Sequence, residues 1–123
     1  NTVVIFMKYI FDNIRPIYIQ IIEDVKLDIV SNRLKKGDKI PSVREYAIQM
    51  GVNPNTVQKA LIELERDKLI YTERTNGKYV TNDDTLIQKI REELIDNKID
   101  CLFSDLIQLG INKNQIIEYL KRR

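Results

Sequence analysis

The sequence predicts a mainly α-helical protein that carries one small β-hairpin. Apolar residues recur every three or four positions from Pro16 onward, and residues typical of helix starts and stops separate the periodic segments. The pair Asn76-Gly77 lies between two short runs rich in strand-forming residues. With 123 residues, the chain can form one core with a small appendage. We divide it into an N-terminal extension (1–15), a central domain (16–81) and a C-terminal helical segment (82–123).

The N-terminal extension contains one apolar run, residues 3–7, which indicates a short strand or a hydrophobic tail. It is too short to span a bilayer, which needs about 20 apolar residues, and it lacks the features of a signal peptide. An interfacial anchor is a less favoured alternative, because no large basic amphipathic helix adjoins it. Met7 is a candidate natural initiator, which would make residues 1–6 non-native. We expect a cytoplasmic protein.

The segment 16–36 is predicted to form an amphipathic helix. Lys35 and Lys36 favour its C-terminal end because their charges complement the helix dipole, and Gly37-Asp38 is expected to stop it. This helix should cover the open side of the next two helices and complete a three-helix core. Its apolar stripe comprises Ile17, Ile21, Val25 and Ile29, broadened by Tyr18 and Ile22.

Two short helices joined by a tight turn follow. Ser42 and Glu45 have the spacing of a capping box, which starts the first helix, and Gly51 can adopt the positive φ that ends it. Asn53 is a candidate cap for the second helix, and Pro54 suits its first position. The predicted buried stripes are Val43, Tyr46, Ala47 and Met50 in the first helix, and Val57, Ala60, Leu61 and Leu64 in the second.

The opposite face of the second helix carries Asn55, Lys59, Ile62 and Arg66, flanked by Thr56 and Gln58. Amides and hydroxyls at the start of the second helix of a helix-turn-helix can both donate to and accept from base edges in the major groove. A solvated surface helix is the alternative, since such helices are polar outside.

Residues 69–81 read as two short strands around Asn76-Gly77, a strong hairpin signal. A helix-turn-helix followed at once by a hairpin with Arg74 and Lys78 near its tip describes a winged helix, whose wing can reach the minor groove or the DNA backbone. Alternatively, the hairpin merely closes the core through Tyr71, Tyr79 and Val80, which is compatible with a binding tip.

The distribution of charge and the residue types present narrow the range of possible functions. Residues 31–81 hold ten basic and six acidic side chains, a net charge of +4, whereas each flanking segment has a net charge of −1. A basic excess on the helix-turn-helix favours a DNA partner. The chain has no histidine and one cysteine, Cys101, so no catalytic residues, metal site or cofactor are predicted. We expect Cys101 to be buried, and a lone cysteine fits a reducing compartment.

The run PIYIQI, followed by GDKIPSVREYAIQMGVNPNTVQKALIELERDKLIYTERTNGKYV, resembles the winged-helix module of GntR-family bacterial transcription regulators, and its VNPNTV turn and short tail look most like the YtrA subfamily. The resemblance covers residues 16–81. It implies an operator-binding homodimer, with Arg44 on phosphate or a base, Asn55 and Thr56 at the recognition-helix start, and Gly77 at the wing tip. Pro54 and Gln58 replace arginines of many relatives, and Thr75 replaces a glycine, so the operator must be read differently.

The C-terminal segment is predicted to hold three helices. Leu86, Ile87, Ile90 and Leu94 mark one, residues 99–107 a second that ends near Gly110, and Asn112 with Gln115 opens a third. Roughly 40 residues cannot enclose a ligand pocket of several hundred Å³. Burial against a second copy explains the apolar surface best, and packing on its own winged helix is the alternative. The predicted dimerisation residues are Leu94, Ile99, Leu102, Phe103, Leu106, Ile107, Ile116, Ile117 and Leu120.

We therefore predict a transcription regulator, most simply a homodimeric repressor of a pseudo-palindromic operator, with a transporter operon as the target that the resemblance suggests. The rival is a winged-helix interaction module without specific DNA binding. The partners predicted are double-stranded DNA and a second copy, with no membrane, and the sequence identifies no effector. The predicted DNA contacts are Lys39, Ser42, Arg44, Asn53, Asn55, Thr56, Gln58, Lys59, Arg74, Asn76, Gly77 and Lys78.

Overall fold

The computed structural model describes residues 11–123, so the predictions for residues 3–7 and for Met7 lie outside the described residues. The helices and strands are α1 (Ile17–Val30), α2 (Val43–Met50), α3 (Pro54–Arg66), β1 (Ile70–Glu73), β2 (Gly77–Val80), α4 (Asp84–Gln108) and α5 (Lys113–Lys121). The predicted fold, mainly α with one hairpin, is confirmed. The chain divides into two compact units, one up to Gln88 and one from Lys89 to Arg123.

The first unit is built around α3, which packs against α1, α2 and β1. The apolar stripe predicted for α3 is fully buried, and the stripes of α1 and α2 supply the facing side chains. Removing these side chains from water is the main favourable term in forming the core. The buried apolar residues of this unit are Ile21, Val25 and Ile29 of α1, Tyr46, Ala47 and Met50 of α2, Val57, Ala60, Leu61 and Leu64 of α3, Ile40, Leu69, Ile70 and Val80, and Ile87 of α4.

The helix-turn-helix has the local geometry that its caps predict. The Ser42 hydroxyl accepts from the Glu45 N–H at 3.1 Å, and the Glu45 carboxylate accepts from the Ser42 N–H at 3.1 Å. Gly51 ends α2 in the left-handed region at φ 66°. Asn53 then caps α3, where the Asn55 N–H donates to its side-chain oxygen at 2.8 Å. The turn is therefore fixed by residues adjacent in sequence.

The first helix is shorter than predicted. It ends at Val30, and Lys35 and Lys36 lie beyond it rather than in its last turn. Asn32 adopts φ 64°, which reverses the chain, and the Arg33 guanidinium bonds the buried Asp28 carboxylate at 2.8 Å. This ion pair and the left-handed asparagine terminate α1 seven residues before Gly37.

A third extended segment, residues 37–40, pairs with the hairpin. Val80 donates to the Asp38 carbonyl at 2.8 Å, and Ile40 donates to the Lys78 carbonyl at 2.9 Å. Residues 37–40 therefore cover the outer edge of β2. The strands pair from Ile70–Val80 to Glu73–Gly77, so residues 74–76 form the loop and Gly77 begins β2, instead of forming a two-residue turn with Asn76.

The C-terminal segment differs from the prediction in helix number. Residues 84–108 form one continuous helix, α4, where two helices were expected. Neither glycine nor proline separates the two apolar patterns, so the polar stretch Asp96-Asn97-Lys98 continues the helix. The expected burial of Cys101 is also wrong, because this side chain is exposed. The Asn112–Gln115 capping box that opens α5 is confirmed.

Candidate nucleic-acid interface

The start of α3 presents the predicted base-reading residues to solvent. Asn55 and Gln58 are exposed, whereas Thr56 is half-buried. Asn53 is exposed too, but its side-chain oxygen is already used in the helix cap. Asn55 and Gln58 therefore present two amide side chains one helical turn apart, which have no hydrogen-bond partner within residues 11–123, and each can donate and accept hydrogen bonds as an adenine or guanine edge requires.

Lys59 lies on the same helix but contacts another element. Its ammonium lies 3.9 Å from the ring centroid of Tyr18, near the start of α1. This is a cation–π contact, in which the negative face of the ring attracts the cation. It directs the Lys59 side chain toward α1.

A second group of predicted contacts surrounds a cleft of about 240 Å³ between the start of α2 and the hairpin. A Cβ on Gly77 would lie 3.1 Å from Cε of Lys39, so the lysine chain passes directly over this glycine. With φ at 105°, Gly77 also occupies backbone space that other residues avoid. The cleft brings together Lys39, Ser42, Asn76, Gly77 and Lys78.

Lys78 belongs to the junction between α3 and the hairpin rather than to the hairpin tip. Its ammonium lies 2.8 Å from the Thr72 hydroxyl and 3.4 Å from the Glu65 carboxylate, and Thr72 also bonds Glu65. The hydroxyl of Thr72, and next the charge of Lys78, hold the pKa of Glu65 below its ordinary value despite partial burial. Glu65 thereby ties the wing to α3 and offsets the charge of Lys78.

Arg44 on α2 and Arg74 in the hairpin loop are the exposed guanidinium groups of the predicted set. Among residues 11–123, neither has an ion-pair partner. Arg66 differs, because it bonds Glu63 at 2.8 Å. Of the predicted cations, Lys39, Arg44, Lys59 and Arg74 form no ion pair within residues 11–123, whereas Lys78 lies beside Glu65, so the first four are the better placed to bind phosphate.

Two residues at this surface were missed by the sequence analysis as binding candidates. The sequence pattern places Tyr18 only in an apolar stripe and does not single out Glu65. Both act on predicted cations through contacts between different helices and strands. No sequence pattern within one segment indicates contacts between different helices and strands, although the sequence does show Tyr18 near the start of the first helix.

The predicted dimerisation residues lie on α4 and α5 with unequal exposure. Leu94, Phe103 and Leu106 are half-buried, and Ile116 is fully buried in the single chain, so its surface is already covered. The exposed members of the set are Ile99, Leu102, Ile107, Ile117 and Leu120. Ile95 and Leu109, which the prediction omitted, are exposed as well.

Residues 11–123 contain neither a metal-ligand cluster nor a membrane-spanning helix. Within residues 11–123, no three histidine, cysteine or acidic side chains are arranged to hold a metal ion. In the same part of the chain, every helix is too short or too polar to cross a membrane. What the surface supplies is amides, hydroxyls and cations, which bind by hydrogen bonding and charge.

A three-helix core with a turn between its last two helices, followed by a hairpin packed on the recognition helix, defines a winged helix-turn-helix DNA-binding domain. The family model for bacterial regulatory proteins of the gntR family matches residues 17–80. The chain belongs to the GntR family, which confirms the resemblance found in the sequence, and it is a DNA-binding transcription regulator.

Similar proteins cover both units of the chain. The HTH-type transcriptional repressor YtrA of Bacillus subtilis is 38% identical over 107 residues, which are 86% of this chain and 82% of that protein. A GntR family transcriptional regulator from Listeria monocytogenes superimposes with a TM-score of 0.82 at 40% identity, covering 92% of this chain and 99% of the other. AraR(DBD) in complex with operator ORX1 matches with a TM-score of 0.55 at 27% identity, over 58% of this chain and 93% of that one.

Proposed function

We propose that the protein is a homodimeric repressor that binds a pseudo-palindromic operator, with one half-site for each winged helix. The observation that carries this proposal is the exposed start of α3, where Asn55 and Gln58 are open to solvent and Lys59, further along the same helix, forms no ion pair within residues 11–123. Repression follows if the bound dimer occludes the promoter, and YtrA, a similar protein, is named a repressor. The protein acts by binding rather than by catalysis.

The twelve proposed contacts divide by chemistry. Asn55, Thr56 and Gln58 would read base edges, because they lie at the amino-terminal end of the recognition helix. Lys39, Ser42, Arg44, Lys59 and Lys78 would bind the backbone. The hairpin loop would add Arg74, with Asn76 and Gly77 shaping its approach to the minor groove or the flanking phosphates. Asn53 would contribute mainly by capping the helix that carries the base readers.

A second copy of the chain is the proposed partner of the C-terminal unit. On α4, Ile95, Ile99, Leu102 and Leu106 follow one another at intervals of four, three and four, the spacing of a coiled-coil seam. Ile95, Ile99 and Leu102 are each more than 40% exposed, which is costly for large apolar side chains in a row. A twofold axis would cover this seam with its own copy.

The regulated genes and the cellular location are proposed from the resemblance and from composition. A transporter operon is the target suggested by the YtrA-like tail, and a cytoplasmic location fits a chain whose lone cysteine is exposed. No effector is proposed.

Selection from a random duplex library tests the function directly. The purified protein should enrich a sequence with two inverted half-sites, and should bind the enriched duplex at least about 10³-fold more tightly than a scrambled one at physiological salt. Enrichment of a single unsymmetrical site would contradict the dimeric arrangement. Equal affinity for enriched and scrambled duplex would remove specific DNA recognition and favour the interaction-module alternative.

A further inference from the structure

We propose that Tyr18 is a positioning residue for DNA binding: its ring holds the Lys59 ammonium in a fixed place while leaving its charge free for a phosphate. This inference rests on the proposed function and adds α1 to the DNA-binding surface. It begins from the 3.9 Å contact between the ammonium and the ring centroid.

The cations near α3 are held in two different ways. Arg66 bonds Glu63 at 2.8 Å, and Lys78 lies 3.4 Å from Glu65, so a carboxylate offsets each of these charges. Glu63 follows Lys59 at the i+4 position, which is within reach for an ion pair on a helix, although Glu before Lys is the more favourable order. Glu63 bonds Arg66 instead, and within residues 11–123 Lys59 forms no ion pair.

A neutral ring orients an ammonium without cancelling its charge. A carboxylate also orients a cation, but it must be displaced, or remain as a competing anion, when phosphate arrives. Free lysine has up to about 2 kcal/mol of rotamer entropy to lose when it is fixed on a ligand. Since Tyr18 restricts this side chain before DNA binds, less of that entropy is lost on binding.

The position of the ring also selects the kind of contact that Lys59 makes. Tyr18 is half-buried near the N-terminal end of α1, so the contact directs Lys59 toward that helix. The lysine therefore serves a backbone phosphate beside α1 rather than a base edge. Its contribution should be the same for every DNA sequence.

The contact itself can be measured without DNA. In the free protein, the ring current of Tyr18 should shift the Lys59 ε-methylene protons upfield in NMR spectra. Tyr18→Phe should keep this shift, and Tyr18→Leu should abolish it. An unshifted Lys59 in the wild type would overturn the proposal at this first step.

Binding is measured by fluorescence anisotropy with the enriched duplex and with a scrambled duplex. Tyr18→Leu should weaken binding to both by about two- to fivefold, the range of a cation–π contact at an exposed site, and Tyr18→Phe should bind like the wild type. In a Lys59→Ala background, Tyr18→Leu should cause no further loss. Tyr18→Met replaces Tyr18→Leu if circular dichroism shows that the leucine variant does not fold.

The outcomes separate this proposal from the function beneath it. If Tyr18→Leu weakens binding equally with and without Lys59, the ring acts by packing. If Tyr18→Phe binds as weakly as Tyr18→Leu, the hydroxyl itself contributes to binding. Either result would overturn the positioning role. If the wild-type protein binds both duplexes with equal affinity, specific recognition is contradicted. The coupling between Tyr18 and Lys59 can still be measured from the affinities of the variants for either duplex. Failure to bind either duplex would overturn both.

Discussion

Asn55 and Lys59 lie one turn apart on α3, yet their surroundings favour different roles in DNA binding. Asn55 is exposed with its amide free, and Lys59 is held toward α1 by Tyr18. Asn55→Ala should therefore relax the preference at one base pair, by about 1–3 kcal/mol, with little change in affinity for scrambled DNA. Lys59→Ala should weaken all sequences alike and reduce the slope of log K against log salt by about 1.

Anisotropy titrations at several salt concentrations, with single-base variants of the operator, measure both effects. Gln58→Ala is a matched comparison for Asn55→Ala, because it removes the other exposed amide of the same helix. If neither Asn55→Ala nor Lys59→Ala changes affinity, preference or salt slope, the start of α3 does not contact DNA.

Glu65 gives the wing junction a dependence on pH. Because the bond from Thr72 and the charge of Lys78 lower its folded-state pKa, Glu65 stabilises the fold above the pKa of the unfolded chain. This stabilisation is lost as pH falls through the lowered folded pKa. Urea unfolding between about pH 3 and pH 6 should therefore show a smaller loss of stability on acidification in Glu65→Gln than in wild type. Identical pH slopes would assign the acid sensitivity to other carboxylates.

Residue types at the surface were predictable, but their partners were not. The polar face of α3 follows from helical spacing, and the wing cations follow from their positions around Asn76-Gly77. The contacts of Lys59 with Tyr18 and of Lys78 with Glu65 join segments that meet only after folding. The sequence therefore predicts which groups are available, whereas the structure determines which of them are already engaged.

At the scale of single helices, the cap of α2 has both a structural and a proposed binding role. Ser42→Ala removes the acceptor for the Glu45 N–H and should reduce the free energy of unfolding by about 1 kcal/mol. Ser42→Thr keeps that acceptor and should be nearly neutral. Because Ser42 lies in the cleft beside the hairpin, Ser42→Ala should also weaken DNA binding.

Asn112→Ala is the control for the capping effect. It removes the corresponding acceptor, at 2.9 Å from the Gln115 N–H, from the start of α5. Circular dichroism should show a loss of helix stability in both alanine variants, whereas only Ser42→Ala should lose DNA affinity in anisotropy. Equal effects of the two on DNA binding would argue that Ser42 acts through stability alone.

The accuracy of the predicted helices follows from how local their signals are. The caps at Ser42, Asn53 and Asn112 and the stop at Gly51 each involve residues within a few positions, and all are confirmed. The end of α1 was wrong, because it depends on a left-handed Asn32 and on the pair between Arg33 and buried Asp28. The continuity of α4 is not predicted because the polar interval Asp96-Asn97-Lys98 interrupts the apolar pattern, although it contains neither glycine nor proline, the two residues that disfavour a helix most.

For the whole molecule, the assembly proposed through α4 predicts a specific mutational result. Leu102→Lys places a charge in the exposed apolar seam and should convert a dimer into a monomer, measured by light scattering during gel filtration. Ser104→Lys is the matched control, since two residues at about 100° each place it on the opposite side of the helix. It should leave the mass unchanged.

Loss of the dimer should carry through to DNA binding. A monomeric Leu102→Lys variant should bind a half-site as the wild type does, but should lose the added affinity that a linked second half-site gives. If Leu102→Lys remains a dimer by mass, the seam on α4 is not the interface, and another exposed surface must join the copies.

The pairing of residues 37–40 with β2 bears on how the protein emerges during synthesis. Asp38 and its partner Val80 lie on opposite sides of α2 and α3 in the sequence. The ribosome makes the covering segment first, then both helices of the DNA-reading motif, and only afterwards the strand that this segment must meet. The helix α3 and the two helices that pack on it, α1 and α2, are all made before β2, whereas the wing must wait for its distant neighbour. A nascent chain that ends before Val80 would therefore contain the recognition-helix residues without the pairing between β2 and residues 37–40.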